Sequence, residues 1–404
     1  MKIAILGSRG IPPNYGGFET MAAELGTRLV QRGHEVWVYS REVAESPSRQ
    51  VAEDERPLGD LETWRLGDSW NGLHRIVVPF LGGKYFETVS HTLFSALDAV
   101  RRHFDAILLC NAANAFVLPL LRAARIPVVI NVDGIERKRR KWNILGRAVY
   151  AIGETFSVGF ANAVIADAEV IADYYRRHYA HEAVIIPYGA EFPEEEDSDV
   201  LERLGLQPRQ YVLYVSRFEP ENNPLEVVEA YERLAVGAPF AIDDRLAGET
   251  TNENAAPSSS ANRQPPTANV PLVMLGKGLY APDLVTELQR HASTRILFPG
   301  ALYGRDYRTL QRNALVYLQA TEVGGTHPAL IEAMASGGCV LANDTPENRE
   351  VGGEAIGYFR LHPQETLSGM IRMGRQPFDS GGVPGTGAEA GSGAILMGGR
   401  NGRL

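Results

Sequence analysis

The sequence is poor in several things, and each shortage removes a class of protein. Only 2 of its 404 residues are cysteine. Cys110 and Cys339 lie far apart and match no metal-ligand or redox spacing, so neither a disulfide scaffold nor a zinc module fits. Aromatic residues make up 8%. There is no apolar run of about 18 residues, the length a spanning helix needs. The run at 3–6 is too short for the core of a signal peptide. Basic residues are outnumbered, 40 Lys and Arg against 49 Asp and Glu, and the formal charge of −9 repels nucleic acid rather than gathering it. The dinucleotide fingerprint and the Walker A loop are both absent. What is present, 44% hydrophobic and 22% charged residues, suits a globular chain long enough for two or three domains. The expectation is a two-domain, reduced, cytoplasmic protein.

The opening residues indicate the fold class. Lys2-Ile-Ala-Ile-Leu6 is an apolar run that breaks at Gly7, as a strand buried on both faces does. Met21, Ala22, Leu25, Leu29 and Val30 recur at helical spacing over 18–32, and Gly33 closes the helix. Val36-Trp-Val-Tyr39 is the next strand, completing a short βαβ unit. Alternation continues with strands at 106–109, 128–130, 163–166 and 184–186 and a helix over 115–124. A boundary falls near Pro187-Tyr-Gly189 and the acidic run at 194–197. A second block follows, with strands at 211–215, 272–275, 295–298, 315–318 and 339–342 and helices at 225–234, 284–291 and 329–335. Two such blocks predict an α/β protein with two Rossmann-like doubly wound domains, 1–190 and 195–373, facing across a cleft. The polar tract at 237–270 reads as a disordered insertion and the glycine-rich end, 374–404, as a mobile tail.

Five places can hold chemistry. Gly7 to Gly17 joins the first strand to the first helix, where backbone N–H groups meet anions; Gly16 and Gly17 suit that role, and a plain tight turn suits the residues equally. In Thr321-Glu-Val-Gly-Gly-Thr-His-Pro328, Gly324 and Gly325 permit close backbone approach, and Pro328 opens a helix. The N–H groups of Gly325, Thr326 and His327 then favour a phosphate or sugar hydroxyl, with Glu332 one turn on; a structural histidine is the alternative for His327. Arg217 follows a strand, at the crevice end of an α/β sheet, and its guanidinium fits a diphosphate; an ion pair with Glu219 or Glu221 is the plainer reading. Asp133 ends another strand as a proton acceptor, a hydroxyl-orienting group or a helix cap. Arg137, Lys138, Arg139, Arg140 and Lys141, followed by Trp142 and with Ile144 and Leu145 close by, make a basic, apolar-edged patch. It is either a solvated face or a contact for an anionic membrane or acceptor.

Three stretches together resemble the GT-B sugar-nucleotide glycosyltransferases, specifically glycosyltransferase family 4 and its bacterial polysaccharide rhamnosyltransferase branch. They are Lys2 to Thr20, Val132-Asp-Gly134 with Lys138 and Lys141-Trp142, and Glu322-Val-Gly-Gly-Thr-His-Pro-Ala-Leu-Ile-Glu-Ala-Met-Ala335. The resemblance implies a nucleotide-diphosphate sugar, dTDP-L-rhamnose, as co-substrate in the interdomain cleft. It also implies transfer with retention to a lipid-linked or polysaccharide acceptor, with no metal or other cofactor. Gly16 and Gly17 then match the loop near the donor phosphates, and Arg217 the arginine of an Arg-x4-Lys pattern. Glu332 matches the second glutamate of Glu-x7-Glu, and Gly325 to His327 the donor-sugar loop. Asp133 stands where many relatives carry histidine. A lipid-diphosphate acceptor accounts for the basic run at 137–141 and implies peripheral contact with the inner face of the plasma membrane. Two positions depart from the family: Asn222 replaces the lysine and Gly324 the first glutamate. Both look like signatures of the rhamnosyltransferase branch, with Lys277 as a replacement cation. Two other readings stay open, a GT-B nucleotide-sugar epimerase and a catalytically silent sugar-nucleotide binder. GT-B enzymes end in a helix crossing back to the first domain, which 363–373 can begin.

Overall fold

The computed structural model describes residues 1–13, 16–41, 69–81, 86–132, 134–135, 137, 144–191, 197–236, 270–278 and 281–361. The chain forms two compact units. The first is Met1–Tyr188 with Val323–Pro328, and the second is Gly189–Glu322 with the chain from Ala329 onward.

In the first unit the elements run β1 (Lys2–Leu6), α1 (Gly17–Gln31), β2 (Glu35–Arg41), β3 (His74–Val78), α2 (Phe86–Arg102), β4 (Ala106–Cys110), α3 (Leu118–Ala123), β5 (Val128–Asn131), α4 (Ile144–Phe160), β6 (Ala163–Ala166), α5 (Glu169–Tyr179) and β7 (Val184–Ile185). All strand pairs are parallel, in the order β3-β2-β1-β4-β5-β6-β7. The two-residue period sends alternate side chains to opposite faces. Ala4, Leu6, Trp37 and Tyr39 join the core shared with α2, α3 and α5. Ile5, Val36 and Val38 pack with α1. Both faces are covered, which is why these strands read as unbroken apolar runs.

The second unit begins with α6 (Val200–Arg203) and β8 (Val212–Val215), then α7 (Pro224–Val236), β9 (Leu272–Leu275), α8 (Pro282–Arg290), β10 (Ile296–Gly300), α9 (Gly304–Arg312), β11 (Val316–Gln319), α10 (Pro328–Ala335), β12 (Cys339–Asn343), α11 (Pro346–Gly352) and β13 (Gly357–Phe359). Its sheet, β10-β9-β8-β11-β12-β13, is again all parallel. In both sheets the order reverses beside the first strand, at β1/β4 and at β8/β11. Loops at the carboxyl ends of those strands border the crevice where ligands of doubly wound sheets bind.

Three local expectations are corrected. The helix expected over 115–124 is a 3-10 turn, Ala112–Val117, followed by α3. Pro119 has no N–H to give the Ala115 carbonyl, which takes the Leu118 N–H instead. Val270, expected in the insertion, is 7% exposed and belongs to the core beside β9. The rest of that insertion (237–269), the tail and the 363–373 segment lie outside the described residues. Helices α2, α4, α5, α6, α9 and α11 and strands β3 and β13 also stand where the sequence reading placed no element.

Candidate functional site

At the β1 end of the first sheet, the loop to α1 is drawn tightly onto its neighbours. Gly10 has φ +114°, and a Cβ there would lie 2.2 Å from Ser40 Oγ and 2.6 Å from Ser40 Cα. Only glycine fits that approach. Glu19, 4% exposed, accepts the Arg9 backbone N–H at 2.8 Å, so one donor of this loop is already met by the chain's own carboxylate. Gly16 is the extended N-cap of α1 and Gly17 its first residue. A Cβ on Gly17 would touch Pro328 Cγ at an ordinary 3.4 Å.

The segment Val323–Pro328 belongs to this same unit. Thr326 is buried; its N–H donates to Asp167 Oδ2 at 2.7 Å and its hydroxyl to the Asp167 carbonyl at 2.8 Å. A Cβ on Gly325 would meet both Asp167 carboxylate oxygens at 2.4 Å, and one on Gly134 would lie 2.9 Å from the Gly325 nitrogen. At Gly324 a Cβ would lie 2.4 Å from the His327 ring, so a glutamate there would displace the imidazole. A side chain at Gly324 or Gly325 would therefore have to push His327 or Asp167 aside. The Thr326 N–H, expected to face a phosphate or sugar, faces Asp167. Asp167 itself was not among the sequence candidates, although it follows β6 as Asp133 follows β5 in the sequence. Its partner is 159 residues away, a separation at which sequence gives no sign of pairing.

In the second unit, β8 and β9 pair in register with Val215 opposite Leu275. Arg217 and Lys277 each lie two residues beyond that pair, on neighbouring loops, and the Phe218 N–H donates to the Lys277 carbonyl at 3.0 Å. Gly276 and Gly278 allow the close fit, since a Cβ on Gly276 would lie 2.0 Å from the Ser216 carbonyl. Arg217 is half-buried and Lys277 exposed, and among the described residues neither side chain makes an ion pair or hydrogen bond.

Asn222, which stands in place of the family's lysine, is turned inward. It is 3% exposed, and its amide Nδ2 donates to the Arg217 carbonyl at 2.7 Å while its own carbonyl accepts the Tyr214 hydroxyl. It shapes the arginine loop from inside. Asn223, at φ +55°, donates its amide to the Ala320 carbonyl at 2.8 Å, and the Glu322 N–H reaches the Glu221 carbonyl at 2.9 Å. The loops after β8 and β11 are thus sewn together on both sides of the switch point.

Glu332 sits on α10 and accepts the Tyr307 hydroxyl at Oε2. Gln311 Nε2 donates to the Tyr307 oxygen at 2.8 Å. Burial and the Glu332 carboxylate push the Tyr307 phenol well up, so it stays a donor and fixes the carboxylate's orientation.

Arg137, at the start of the basic run, is committed inward. Its Nε stands 3.7 Å from Glu154 Oε2, and its guanidinium lies over the Tyr174 ring. Glu154 is 3% exposed and also accepts the Tyr174 and Tyr179 hydroxyls. Burial and that carboxylate raise both phenols, Tyr179 to about 12. Arg137 is thus a tether rather than an outward contact. Asp133, Lys138, Arg139, Arg140, Lys141 and Trp142 lie outside the described residues.

Residues 15–191 match the profile of Glycosyltransferase Family 4. A search of curated proteins returns no match. Among solved structures, the chain is similar to sucrose-phosphate synthase from Thermosynechococcus elongatus, with 15% identity over 92% of this chain and 89% of that one and a TM-score of 0.66. It is similar to HepE of Anabaena in complex with UDP and glucose, with 17% identity, 92% and 89% coverage and a TM-score of 0.63. A third is the UDP-forming α,α-trehalose-phosphate synthase of Burkholderia vietnamiensis, with 13% identity, 93% and 92% coverage and a TM-score of 0.58. At such identities the likeness establishes the fold: two parallel-sheet α/β domains of the GT-B glycosyltransferase type.

Proposed function

We propose that this protein is a retaining glycosyltransferase that moves L-rhamnose from dTDP-rhamnose to a lipid-linked or polysaccharide acceptor. The observation that carries the reading is the pair Arg217 and Lys277, set side by side by strand register at the switch point of the second sheet. Two cations on adjacent loops there suit the two phosphates of a nucleoside diphosphate. The family match over 15–191 supports the reaction class. The likeness to HepE, whose complex holds UDP, supports a nucleoside-diphosphate donor. Rhamnose and the acceptor rest on the resemblance of the three motif stretches.

In this reading the bond between the anomeric carbon and the diphosphate oxygen breaks as the acceptor oxygen bonds to the same carbon. Arg217 and Lys277 stabilise the charge growing on the leaving diphosphate. The acceptor proton passes to the leaving phosphate, so no separate base is needed. Glu332, oriented by Tyr307, holds donor hydroxyls, and Asp133 orients the sugar or the acceptor. The remaining cations of the basic run, Lys138, Arg139, Arg140 and Lys141, with Trp142, serve a lipid-linked acceptor and an anionic membrane in this reading.

A silent donor-binding protein is the second reading, and one observation favours it. Position 222 carries a neutral amide in place of an ammonium, and that amide is already bonded to the Arg217 carbonyl, so a second cation falls to Lys277 alone. The deciding experiment incubates purified protein with dTDP-L-rhamnose and membranes holding lipid-linked sugar. It follows dTDP release and product mass beside Arg217→Ala. Release that requires acceptor and is lost in the variant establishes the transferase; binding without release, for this and for UDP- and GDP-sugars, overturns it.

A further inference from the structure

Helix α2 is amphipathic the wrong way round for a helix facing water. Toward the sheet it turns Ser90, His91, Thr92, Ser95 and Asp98, all buried, with only the small Ala96 and Ala99 joining the apolar core among them. They are largely bonded internally. Ser90 Oγ accepts the Leu81 N–H and donates to the Phe86 carbonyl, Thr92 donates to Asn114 Oδ1, and Asp98 accepts from Tyr39 and Arg102. Outward it turns Phe86, Val89, Leu93 and Leu97, which are 65%, 43%, 38% and 39% exposed and spaced to form one stripe. The stripe ends in exposed Arg101.

The 3-10 turn and α3 pack between α2 and α4, so the three helices form one layer. On α4 the outward side chains Ile144, Val149 and Ile152 are 88%, 46% and 56% exposed. The charges of the layer are sorted by sign. Its three acidic groups are all turned inward: Glu87 pairs with Arg41, Asp98 with Arg102, and Glu154 with Arg137. Its outward charges, Arg101, Arg122 and Arg147, are all cationic, although the chain as a whole carries −9. Exposed apolar side chains whose only outward charges are arginines are what a surface needs to rest in the headgroup region of an anionic bilayer. Among the described residues no helix is long and apolar enough to cross one.

We infer that the outer faces of α2 and α4 form a docking surface for an anionic phospholipid membrane. The inference deepens the membrane contact proposed above and rests on that part of the reading, but it does not need the chemistry at Arg217. It relocates the contact, from the basic run alone to a two-helix apolar face.

The test floats the full-length protein with vesicles of phosphatidylglycerol and phosphatidylcholine, or of phosphatidylcholine alone. The wild type should bind the anionic vesicles at least tenfold more tightly. Leu93→Gln with Leu97→Gln should weaken that binding tenfold or more, and Ile152→Gln should weaken it separately should the double variant fold poorly. Arg101→Gln and Arg147→Gln should each cost about fivefold, an effect that shrinks with salt. Equal binding to neutral vesicles, or undiminished binding by the leucine and isoleucine variants, overturns the inference. So does a wild type that fails to float but self-associates through the same residues in light scattering. dTDP binding measured on the same samples separates the two ideas: no vesicle binding with normal dTDP binding sinks the docking surface alone, and the converse sinks the donor site alone.

Discussion

The two units share the strand order 3-2-1-4-5-6, continued by one more strand in the first, and differ in how they use the loops at the switch point. The first unit satisfies backbone donors with its own carboxylates: Glu19 takes the Arg9 N–H, and Asp167 takes the Thr326 N–H. The second unit bonds its loop carbonyls and amides to one another, and its two loop cations, half-buried Arg217 and exposed Lys277, take no part in those bonds. One topology therefore meets its loop donors with internal anions, and the other with neighbouring carbonyls; an external anion at the second is the proposal that the following substitutions test. The same crevice geometry serves both because topology sets where loops converge, while side chains decide what they bind.

This contrast can be broken by substitution. The largest effect is expected in the first unit, where Gly10→Ala forces a Cβ into the Ser40 backbone at a positive φ. It should cost about 3 kcal/mol or more, read as a lowered urea midpoint, while the second unit's dTDP binding persists in the folded fraction. An unchanged midpoint would mean that the loop is not held as described.

His91 supplies a pH test of the same unit. Burial, aided by the Arg41 guanidinium, holds its imidazole down at about 3 against an ordinary 6.5. The unfolded chain therefore binds the extra proton first, and stability falls as the pH drops below about 6.5. Between pH 7 and 4.5 the loss from this group should be about 2–3 kcal/mol. His91→Gln should remove that part of the slope in urea titrations. An identical slope in both proteins would show that the histidine is not buried neutral.

In the second unit, Lys277→Ala should lower dTDP affinity by about ten- to a hundredfold, the worth of a charge-assisted contact, with little change in melting temperature. Unaltered affinity would return the second cation to some other residue. The smallest effect belongs to Asn222→Ala. Losing one buried amide bond to the Arg217 carbonyl should cost about 1–2 kcal/mol of stability, and activity should fall only as far as the arginine loop loosens. A loss as large as that of Arg217→Ala would mean that Asn222 touches the donor itself.

Much of the architecture was legible because parallel strands covered on both faces leave short apolar runs, as at 2–6, 106–109 and 272–275. Helices α2 and α4 were not legible. Their outer faces carry Leu93, Leu97 and Ile152, and α2 hides its polar residues, so the usual polar-outside periodicity is missing. Arg217 could be singled out because it follows a strand. That Lys277 stands beside it needed the β8–β9 register. The inward turn of Asn222 and Arg137, and the hold of Asp167 on Thr326, depend on partners whose positions only the folded chain reveals.

The most direct test of a diphosphate site at the second unit's switch point is calorimetric titration of dTDP into the wild type and the Arg217→Ala/Lys277→Ala double variant. The site described here predicts saturable binding by the wild type and a dissociation constant raised about a hundredfold or more in the variant, with its melting temperature unchanged. Affinity that stays the same without both cations would contradict it.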